Sequence, residues 1–418
     1  MLEHTYAIES CRICNESNLE SILNFGEISF SGVFELQGSL VPKAALNLGR
    51  CLSCGLVQLL HSYDQAILYG ESYGYESHLN GSMVEHLRSK ASVLEAKIRK
   101  RGDGVTGEII ALDIASNDGT LLQGYSKDVV KVGIDPLIDV VQDCYPNGAY
   151  KIKNFFSSEA YFEVMSDKAD LVTSLSVIYD LDDPINFAKN VANVLKNGGI
   201  WHLEQSYLPL MCSTLSYDTI CHEHLLYLSL HDIREILTKA NFRILDVTLN
   251  DVNGGSIAVT AIKTDELQQV DPFVQFLLER EAKEGYGNGE ALRKFASRAL
   301  DHRDKLVGLI KSYREKGFLI YGLGASTKGN VLLQWAKIGV QEILSIGDIN
   351  PNKFGKRTPG SDIPIVSEDE VLKNSGEGTV FILLPWHFRK NILKKCIKAL
   401  GDGSKILIPL PDIEIVSS

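Results

Sequence analysis

Four cysteines near the start of the chain have the residue type and the spacing of a metal site. Cys11 and Cys14 form one CxxC pair, Cys51 and Cys54 form a second, and 36 residues separate the pairs. Each CxxC turn can direct two thiolates at one ion, and four thiolates around a tetrahedral zinc leave no open position for a substrate. The pattern therefore predicts a structural zinc site. The alternative is a set of buried or redox-active thiols.

A second stretch with chemical potential is the segment 111–121, which reads as a strand, a turn of small residues and then a helix. The next predicted strand ends at Asp135, where a carboxylate can bind both hydroxyls of a ribose. The segment is not GxGxxG and has no Walker lysine, which favours S-adenosylmethionine (SAM) over NAD or ATP. A plain Asn-Asp-Gly turn is the alternative. The candidate cofactor contacts are Asp113, Ala115, Ser116, Asn117, Asp118, Gly119 and Asp135.

A third stretch, YGLGASTKGN at 321–330, follows a predicted strand and precedes an apolar helix. Glycines at a helix N-terminus form an anion cradle, which in an NAD enzyme could hold the pyrophosphate. With Asp348 at the end of the next strand, the pattern taken alone also fits NAD. Trp386 offers an aromatic edge beside a histidine, or it simply closes the core. The candidate ligand contacts here are Tyr321, Ser326, Lys328, Asn330, Trp386 and His387.

The elements that must position these residues alternate between strands and helices. Residues 185–199 have apolar positions at helical spacing, and 267–316 is a charged segment of helical character. Strands that alternate with helices predict α/β units with a doubly wound, mainly parallel sheet. Short apolar runs rich in β-branched residues predict strands at 108–114, 129–135, 169–177, 199–208, 318–324, 343–349, 379–385 and 404–410.

Composition and charge restrict the class of partner. The 418 residues are 44% hydrophobic and 23% charged, as in a folded soluble protein, and the net charge of −11 disfavours nucleic acid as a partner. The chain starts without a signal-peptide pattern and has no apolar run near the ~20 residues that span a bilayer. We therefore expect a cytoplasmic protein, a monomer or small homo-oligomer, with a small-molecule substrate and no membrane contact.

The order of its motifs gives the chain a resemblance to a known family. CRxC…CxxCGLVQL, YGYESHLNGSM, SNDGTLL, HEHLLYLSL, NGGS, YGLGASTKGN and LLPWHF follow one another along almost the whole chain. In this it resembles the deoxysugar C-methyltransferases, which methylate carbon 3 of nucleotide-linked 4-keto-deoxysugars. The resemblance implies a zinc-binding domain (1–75), a class I SAM methyltransferase domain (76–265), a helical connector (266–316) and a Rossmann-like substrate-binding domain (317–418).

The resemblance also implies a mechanism and site residues. A base removes the proton on carbon 3 beside the ketone, and the enolate attacks the SAM methyl group, so the site needs a base, an oxyanion donor and exclusion of water. By resemblance His224 is the base, Glu223 contacts or orients the sugar, His222 is a reserve base, and Tyr75 reaches the site from the junction of the first two domains. Asn253 and Ser256 complete the substrate contacts.

Other interpretations of the HEH segment stay open. His222 and His224 fit surface or zinc-adjacent positions, and two histidines flanking Glu223 fit a metal pair, although they lack the i, i+4 spacing of zincins.

Three positions depart from the family pattern. Cys221 stands where the family has Tyr, Asp180 stands where it has His with Tyr179 as a shifted substitute, and Asn253 replaces the first residue of HGGS. A site built from polar partners discriminates strongly, so such changes can alter the substrate. The alternatives are therefore a methyltransferase of the same scaffold for O, N or another carbon acid, a catalytically lapsed zinc- and SAM-binding protein, and an NAD-dependent reductase.

Overall fold

The computed structural model describes residues 5–39, 41–64, 68, 75–101, 108–264 and 269–417. In its first part, a four-stranded antiparallel sheet contains β2 (Leu19–Ser29), β4 (Lys43–Cys51), β5 (Val57–Leu59) and β12 (Leu226–Tyr227). The sheet order is β12-β5-β4-β2, so a segment from far downstream completes it. Two small sheets pair β1 (Thr5–Ala7) with β6 (His61–Tyr63) and β3 (Glu35–Leu36) with β17 (Lys356–Arg357).

The central part is a seven-stranded sheet. Its strands are β7 (Ile109–Ile114), β8 (Val129–Ile134), β9 (Tyr150–Ile152), β10 (Ala169–Leu175), β11 (Leu195–Ser206), β13 (Phe242–Asn250) and β14 (Ser256–Lys263). Their order is β13-β14-β11-β10-β7-β8-β9, and β14 runs antiparallel to both neighbours. The strand order reverses between β7 and β10, and ligands bind beyond the carboxyl ends of strands at such a switch point. The predicted doubly wound sheet is confirmed.

Helices cover both faces of this sheet. They are α1 (Gly81–Arg101), α2 (Ser158–Phe162), α3 (Pro184–Val194), α4 (Leu208–Ser213) and α5 (Leu230–Lys239). Apolar residues of α1, such as Leu87 and Leu94, pack on one face with Ala111, while α3 and α5 pack on the other. Among the described residues, every helix falls short of the length and apolarity that a bilayer crossing requires.

Two helix predictions differ from the structure. The helix expected after the cofactor loop is only a 3₁₀ turn, Leu121–Gly124. There α1 crosses so closely that a Cβ on Gly124 would lie 2.4 Å from the Arg88 carbonyl oxygen, which leaves no room for a longer helix with side chains. The helix expected to reach residue 199 ends at Val194, because Leu195 is already extended and pairs with Ala169 of β10.

The charged segment forms two helices, α6 (Pro272–Glu284) and α7 (Glu290–Glu315). A six-stranded sheet follows in the order β18-β16-β15-β19-β20-β21, the strand order of dinucleotide-binding folds. Its elements are β15 (Leu319–Leu323), α8 (Thr327–Ala336), β16 (Ile346–Asp348), β18 (Ile365–Ser367), α9 (Glu368–Leu372), β19 (Thr379–Leu383), α10 (Arg389–Ala399), β20 (Lys405–Ile408) and β21 (Glu414–Ser417).

The first and last parts of the chain pack directly on each other through α8. The Phe25 ring lies 4.7 Å from the Trp335 ring. The Gln334 side chain bonds the backbone of Ser29 twice, through its oxygen at 2.7 Å and its nitrogen at 3.1 Å. Asn330 donates to the carbonyl oxygen of Ser31 at 2.7 Å. The segment after β2 is thereby fixed against the N-terminal end of α8.

Candidate active site and zinc centre

The four predicted zinc ligands converge in the structure. Their sulfur atoms all lie within 4.8 Å of one another, with Cys11 to Cys54 and Cys14 to Cys51 each at 3.5 Å. Sulfurs bound at about 2.3 Å to a tetrahedral zinc lie about 3.8 Å apart, so the cluster fits the ion. Cys11 and Cys51 are buried and the other two are partly exposed. Four thiolates without an open position fit a structural role.

Local backbone turns shape each half of this cluster. The residue after each CxxC pair, Asn15 or Gly55, has positive φ and donates its amide to the carbonyl oxygen of the first cysteine, at 3.0 Å in both turns. Arg12, inside the first turn, is buried and binds the carbonyl oxygens of Leu59 (2.6 Å) and His61 (3.0 Å). The first knuckle is therefore tied to β5 and β6.

The predicted cofactor loop follows β7 and turns back on itself. Ala115, Asn117 and Gly119 all have positive φ, and the amide of Ala115 donates to the Ile134 carbonyl oxygen at 2.9 Å. Asp135, at the end of β8, accepts the Asn117 amide at 2.9 Å and the Leu137 amide at 2.7 Å. The loop and Asp135, which the sequence predicted separately as cofactor contacts, thus lie together at the switch point.

The remaining loop side chains divide between ligand-facing and structural contacts. Burial raises the pKa of Asp113 to about 7, and Thr173 donates to its carboxylate at 2.6 Å. The fully buried Asp118 accepts the Thr120 amide, the His78 amide and a contact from His78 Nδ1 at 3.0 Å. Ser116 contacts the hydroxyl of Tyr145 at 2.6 Å. Asp118 therefore stabilises the backbone of the loop by accepting these hydrogen bonds.

Tyr75 lies beside this cofactor loop. Its carbonyl oxygen accepts the Asn117 side chain at 3.1 Å, and its surface is 44% exposed. It is not among the residues that line the cavity around His224. The structure therefore associates Tyr75 with the cofactor loop, whereas the sequence predicted a wall beside Glu223 and His224.

His222 belongs to the core of the first sheet. It is fully buried, its ring meets those of Phe30 (4.7 Å) and Tyr63 (4.9 Å) edge-on, and its Nε2 lies 3.3 Å from the Ala44 carbonyl oxygen. Burial lowers the pKa of His222 to about 4. The expectation of a reserve base is corrected, because this imidazole faces β4 and aromatic rings and not the cavity.

His224 lies at the wall of a small cavity. Its Nδ1 is 3.0 Å from the Thr219 carbonyl oxygen, and the Tyr179 ring lies 4.3 Å from its ring. Burial, and then the charge of Lys328, lower the pKa of His224 to about 4, so the imidazole is neutral at physiological pH. The residues that line the cavity are Tyr179, Ser206, Tyr207, Leu208, Met211, Thr219, His224, Leu226 and Tyr227.

Glu223 points to the junction of all three parts of the chain. A Cβ on Gly32 would lie 2.8 Å from Glu223 Oε1 and 3.7 Å from Thr327 Oγ1, so a larger residue at this position would require the Glu223 carboxyl group to shift. Burial raises the pKa of Glu223, and hydrogen bonds from Cys221 and the Gly32 amide oppose that rise. The carboxyl group therefore lies between the segment after β2 and the first turn of α8. Residues 221–224, which contain it, are called the catalytic segment below because they include the predicted base His224.

The C-terminal candidates form a polar cluster beside this junction. Lys328 donates to the Asn253 carbonyl oxygen at 2.6 Å, and Trp386 donates through its indole to Asp218 at 2.7 Å. Gly254 lies against Trp386 and His387, since a Cβ there would be 3.4 Å and 3.8 Å from them. Trp386 is buried, so it closes the core while also binding Asp218.

Other candidates in this part have structural contacts. Ser326 caps α8 by accepting the Gly329 amide at 3.1 Å, and Ser256 donates to the Val252 carbonyl oxygen at 2.8 Å. Tyr321 is buried and stacks on Phe381 at 5.9 Å. Asn330 is buried against Ser31. Ser326, Lys328 and His387 are the members of the C-terminal set that keep partial exposure, and none of them lines the cavity around His224.

Groups of the protein itself already bind the carboxylate of Asp348, which forms the predicted dinucleotide pattern together with the Gly-rich loop. Asp348 accepts the amides of Ala325 (2.7 Å) and Asn350 (2.7 Å), and the Lys353 ammonium lies 3.7 Å from its carboxylate. Lys353 also donates to the Ala325 carbonyl oxygen at 2.8 Å. Asp135 accepts two amides in the same way, so the amide bonds do not separate the two sites. The Lys353 ammonium beside Asp348 would compete with a dinucleotide ribose, and this disfavours the NAD alternative.

Sequence reasoning did not identify Asp218, Thr219 or Gly32 as members of the site. Thr219 contributes only a backbone oxygen, which leaves no signal in residue type. Asp218 lies four residues before His222 in a stretch whose other polar residues are uncharged, and this single acid near HEH is the signal that could have found it. Gly32 is recognisable only once its three-dimensional neighbours are known.

Comparisons with known proteins agree with this arrangement. Family models match residues 11–69 (zinc binding domain), 85–247 (methyltransferase domain) and 251–411 (C-methyltransferase C-terminal domain). The C-methyltransferase NovU of Streptomyces niveus is 28% identical over 422 residues, which cover 98% of this chain and 97% of that protein.

Similar solved structures are methyltransferases. An S-adenosylmethionine-dependent methyltransferase from Clostridium acetobutylicum is 16% identical, with 42% of this chain and 92% of that chain covered and a TM-score of 0.34. A magnesium protoporphyrin IX methyltransferase from Synechocystis, with SAM bound, is 16% identical, with 43% and 81% covered and a TM-score of 0.31.

Proposed function

Because the chain belongs to the SAM-dependent C-methyltransferases with a zinc-binding domain, we propose that it methylates carbon 3 of a nucleotide-linked 4-keto-deoxysugar. The acceptor would lie between the cofactor loop, the catalytic segment and the first turn of α8. Three parts of the chain meet there through Gly32, Glu223 and Thr327. Enclosure of this kind favours the exclusion of water that an enolate requires.

The observation that carries the proposal is the hydrogen bond between His224 Nδ1 and Thr219. A backbone carbonyl oxygen only accepts, so Nδ1 must carry the proton at a separation of 3.0 Å. The lone pair is then on Nε2, which makes His224 a base of defined orientation. Its pKa of about 4 keeps the imidazole unprotonated at physiological pH, and a value nearer neutrality would make it a stronger base.

The reaction divides into two steps. His224 accepts the proton from carbon 3, and the C–H electron pair forms a C3–C4 double bond while the carbonyl electrons move to oxygen. Carbon 3 then attacks the methyl group that SAM supplies, and the C–S electron pair leaves with sulfur. The products are the methylated sugar, S-adenosylhomocysteine and a proton held on the imidazole. Asp135 and the loop residues would hold the cofactor, and the four cysteines would hold zinc away from this chemistry.

A second acceptor class is kept as an alternative because of Cys221 and Asp180. A phenol at position 221 would reach further than the thiol, which hydrogen-bonds Glu223 instead. Tyr179 beside Asp180 supplies an aromatic ring at 4.3 Å from His224. These changes favour a substrate with different polar groups, including an O or N acceptor on the same scaffold.

The test is a panel of nucleotide-linked keto sugars incubated with the purified protein and SAM. We expect NMR to detect a new C-methyl singlet together with loss of the signal of the hydrogen on carbon 3. An O-methyl or N-methyl signal would instead support the alternative acceptor. SAM binding without turnover of any panel member would contradict the proposal and support a catalytically lapsed protein.

A further inference from the structure

The enolate mechanism requires a hydrogen-bond donor for the developing oxyanion. Tyr227, which lines the cavity with His224 and has a buried hydroxyl without a partner, is a neutral donor, but residues 221–224 supply no cationic donor. The residue before HEH is Cys221, whose thiol is engaged with Glu223. His224 presents a lone pair once its Nδ1 proton is bound to Thr219. Glu223 is an acid whose carboxyl group lies against Gly32. A cationic donor must therefore come from another element that reaches the same space.

The first turn of α8 brings a cation to this space. Its Thr327 hydroxyl and Glu223 Oε1 lie 3.7 Å and 2.8 Å from the point where a Gly32 side chain would begin. The next residue, Lys328, donates to the Asn253 carbonyl oxygen at 2.6 Å. That single bond leaves two of the three ammonium hydrogens for other acceptors. Lys328 also keeps partial exposure, as a ligand-facing side chain would.

Polar atoms without partners surround this turn. Among the described residues, Asp218 Oδ1, Glu223 Oε2 and His387 Nδ1 are buried and have no hydrogen-bond partner. Buried polar groups left in this way are costly unless a ligand or water satisfies them. His387 and Trp386 border Gly254, next to the Asn253 carbonyl that binds Lys328, and Trp386 binds Asp218. The unsatisfied atoms and the ammonium therefore belong to one polar site.

The charges in the site are arranged around Lys328. The groups that interact with its ammonium are Asp218 and Cys221. In the reverse direction, the ammonium contributes to the lowered pKa values of His224 and His387. A cation that interacts with both an acid and a neutral base suits a reaction that creates a negative oxygen close to that base.

We propose that Lys328 donates a hydrogen bond to the substrate carbonyl oxygen and stabilises it as it becomes the enolate oxygen. The inference rests on the proposed function and assigns to α8 the donor that Cys221 cannot provide. As His224 takes the carbon 3 proton, the electron pair shifts to the carbonyl oxygen and Lys328 stays protonated. When carbon 3 attacks the methyl group, the carbonyl re-forms and the hydrogen bond weakens. Lys328 thus binds the transition state more tightly than the ketone.

The experiment uses the full-length protein and a keto sugar that the wild type methylates. Deuterium exchange at carbon 3, with a non-transferring SAM analogue bound, reports enolate formation alone. Lys328→Met should lower this exchange and kcat by about 10²- to 10³-fold, as removal of one oxyanion donor does. SAM affinity should stay unchanged. Lys328→Arg, which keeps the charge, should recover part of the exchange rate. Lys311→Met, an exposed lysine on α7, is the matched control.

If Lys328 instead bound the diphosphate of the nucleotide-linked sugar, the experiment would give another result. Calorimetry with dTDP and UDP as probes should show nearly equal affinities for wild type and Lys328→Met. Wild-type exchange with weakened dTDP or UDP binding would overturn the proposal and make Lys328 a binding residue. If the wild type methylates no keto sugar, the proposed function itself fails. If the wild type methylates one and Lys328→Met exchanges deuterium at the wild-type rate, only the role of Lys328 fails.

Discussion

The Nδ1 atom of His224 lies 3.0 Å from the Thr219 carbonyl oxygen, and this contact determines which imidazole nitrogen carries the proton. Thr219 follows Asp218, whose carboxylate accepts the indole of Trp386 at 2.7 Å. A residue of the C-terminal part is therefore connected through two hydrogen bonds to the proposed base. The N-terminal part contacts the catalytic segment as well, because β12, which follows this segment in sequence, pairs with β5.

Replacement of the proposed base should affect turnover and leave cofactor binding intact. We expect His224→Asn to lower turnover by about 100-fold or more, because a positioned general base contributes at least that much. SAM affinity measured by calorimetry should be nearly unchanged. His231→Asn, an exposed histidine on α5, is the control. Wild-type deuterium exchange at carbon 3 in His224→Asn would exclude this assignment.

Loss of zinc should disturb the catalytic segment as well as the N-terminal sheet. Cys51 ends β4, β4 pairs with β5, and β5 pairs with β12 two residues after His224. We expect Cys51→Ser to lose zinc, measured by elemental analysis, and to raise hydrogen exchange in both β5 and β12. Cys144→Ser, a cysteine outside the cluster, should retain zinc. Freshly purified, chelator-free wild type without zinc would rule out the site.

Asp135 should contribute to SAM binding in two ways, through the ribose and through the loop. Its carboxylate accepts the Asn117 amide at 2.9 Å, so its removal also releases the turn. We expect Asp135→Ala to bind SAM at least about tenfold more weakly, the loss of a charged hydrogen bond, while the fold survives. Asp139→Asn, an exposed acid nearby, is the control. Unchanged affinity in Asp135→Ala, measured by calorimetry, would move the cofactor site elsewhere.

SAM affinity should increase as pH rises through neutrality. Burial raises the pKa of Asp113 to about 7, so the group is mostly protonated below that pH. If its carboxylate binds the ammonium of the methionine portion, binding at lower pH must first remove a proton, and affinity falls. Calorimetry between pH 6 and 8 in buffers of different ionisation enthalpy measures the released proton. Asp113→Asn should bind more weakly and without this slope, and an equal slope in that variant would contradict the prediction.

Arg12 should stabilise the first zinc knuckle against the rest of the chain. The buried guanidinium binds the Leu59 and His61 carbonyl oxygens and lies 3.1 Å from Asp182. We expect Arg12→Met to lower the local free energy of opening by about 3 kcal/mol, because buried acceptors lose their partner. Hydrogen exchange in β4 and β5 measures this quantity. Asp182→Asn should cost under ~1 kcal/mol, since Asp182 is partly exposed. Equal effects of the two changes would show that the ion pair, and not the buried carbonyls, dominates.

The sequence by itself determined the features that depend on local spacing. Two CxxC turns, a strand followed by small residues, and a carboxylate at the end of the next strand are local patterns, and each gave the correct element. The alternation of strands and helices determined the doubly wound class, because parallel strands need crossover connections. Where local packing competed, as at Gly124 and Leu195, the predicted helices were too long.

Only the tertiary structure decided which side chains share a site. His222 and His224 are two residues apart, yet one lies in the core of the first sheet and the other at the cavity. In an extended strand two such residues would face the same side, but residues 221–224 form a turn in which the His224 amide donates to the Cys221 carbonyl oxygen at 3.1 Å. Gly32, Glu223 and Thr327 meet although about 100 residues or more separate each from the next. Their approach depends on α8 docking against β2, a long-range contact that no local pattern encodes. Sequence thus established the chemical groups, and packing between distant elements established the site.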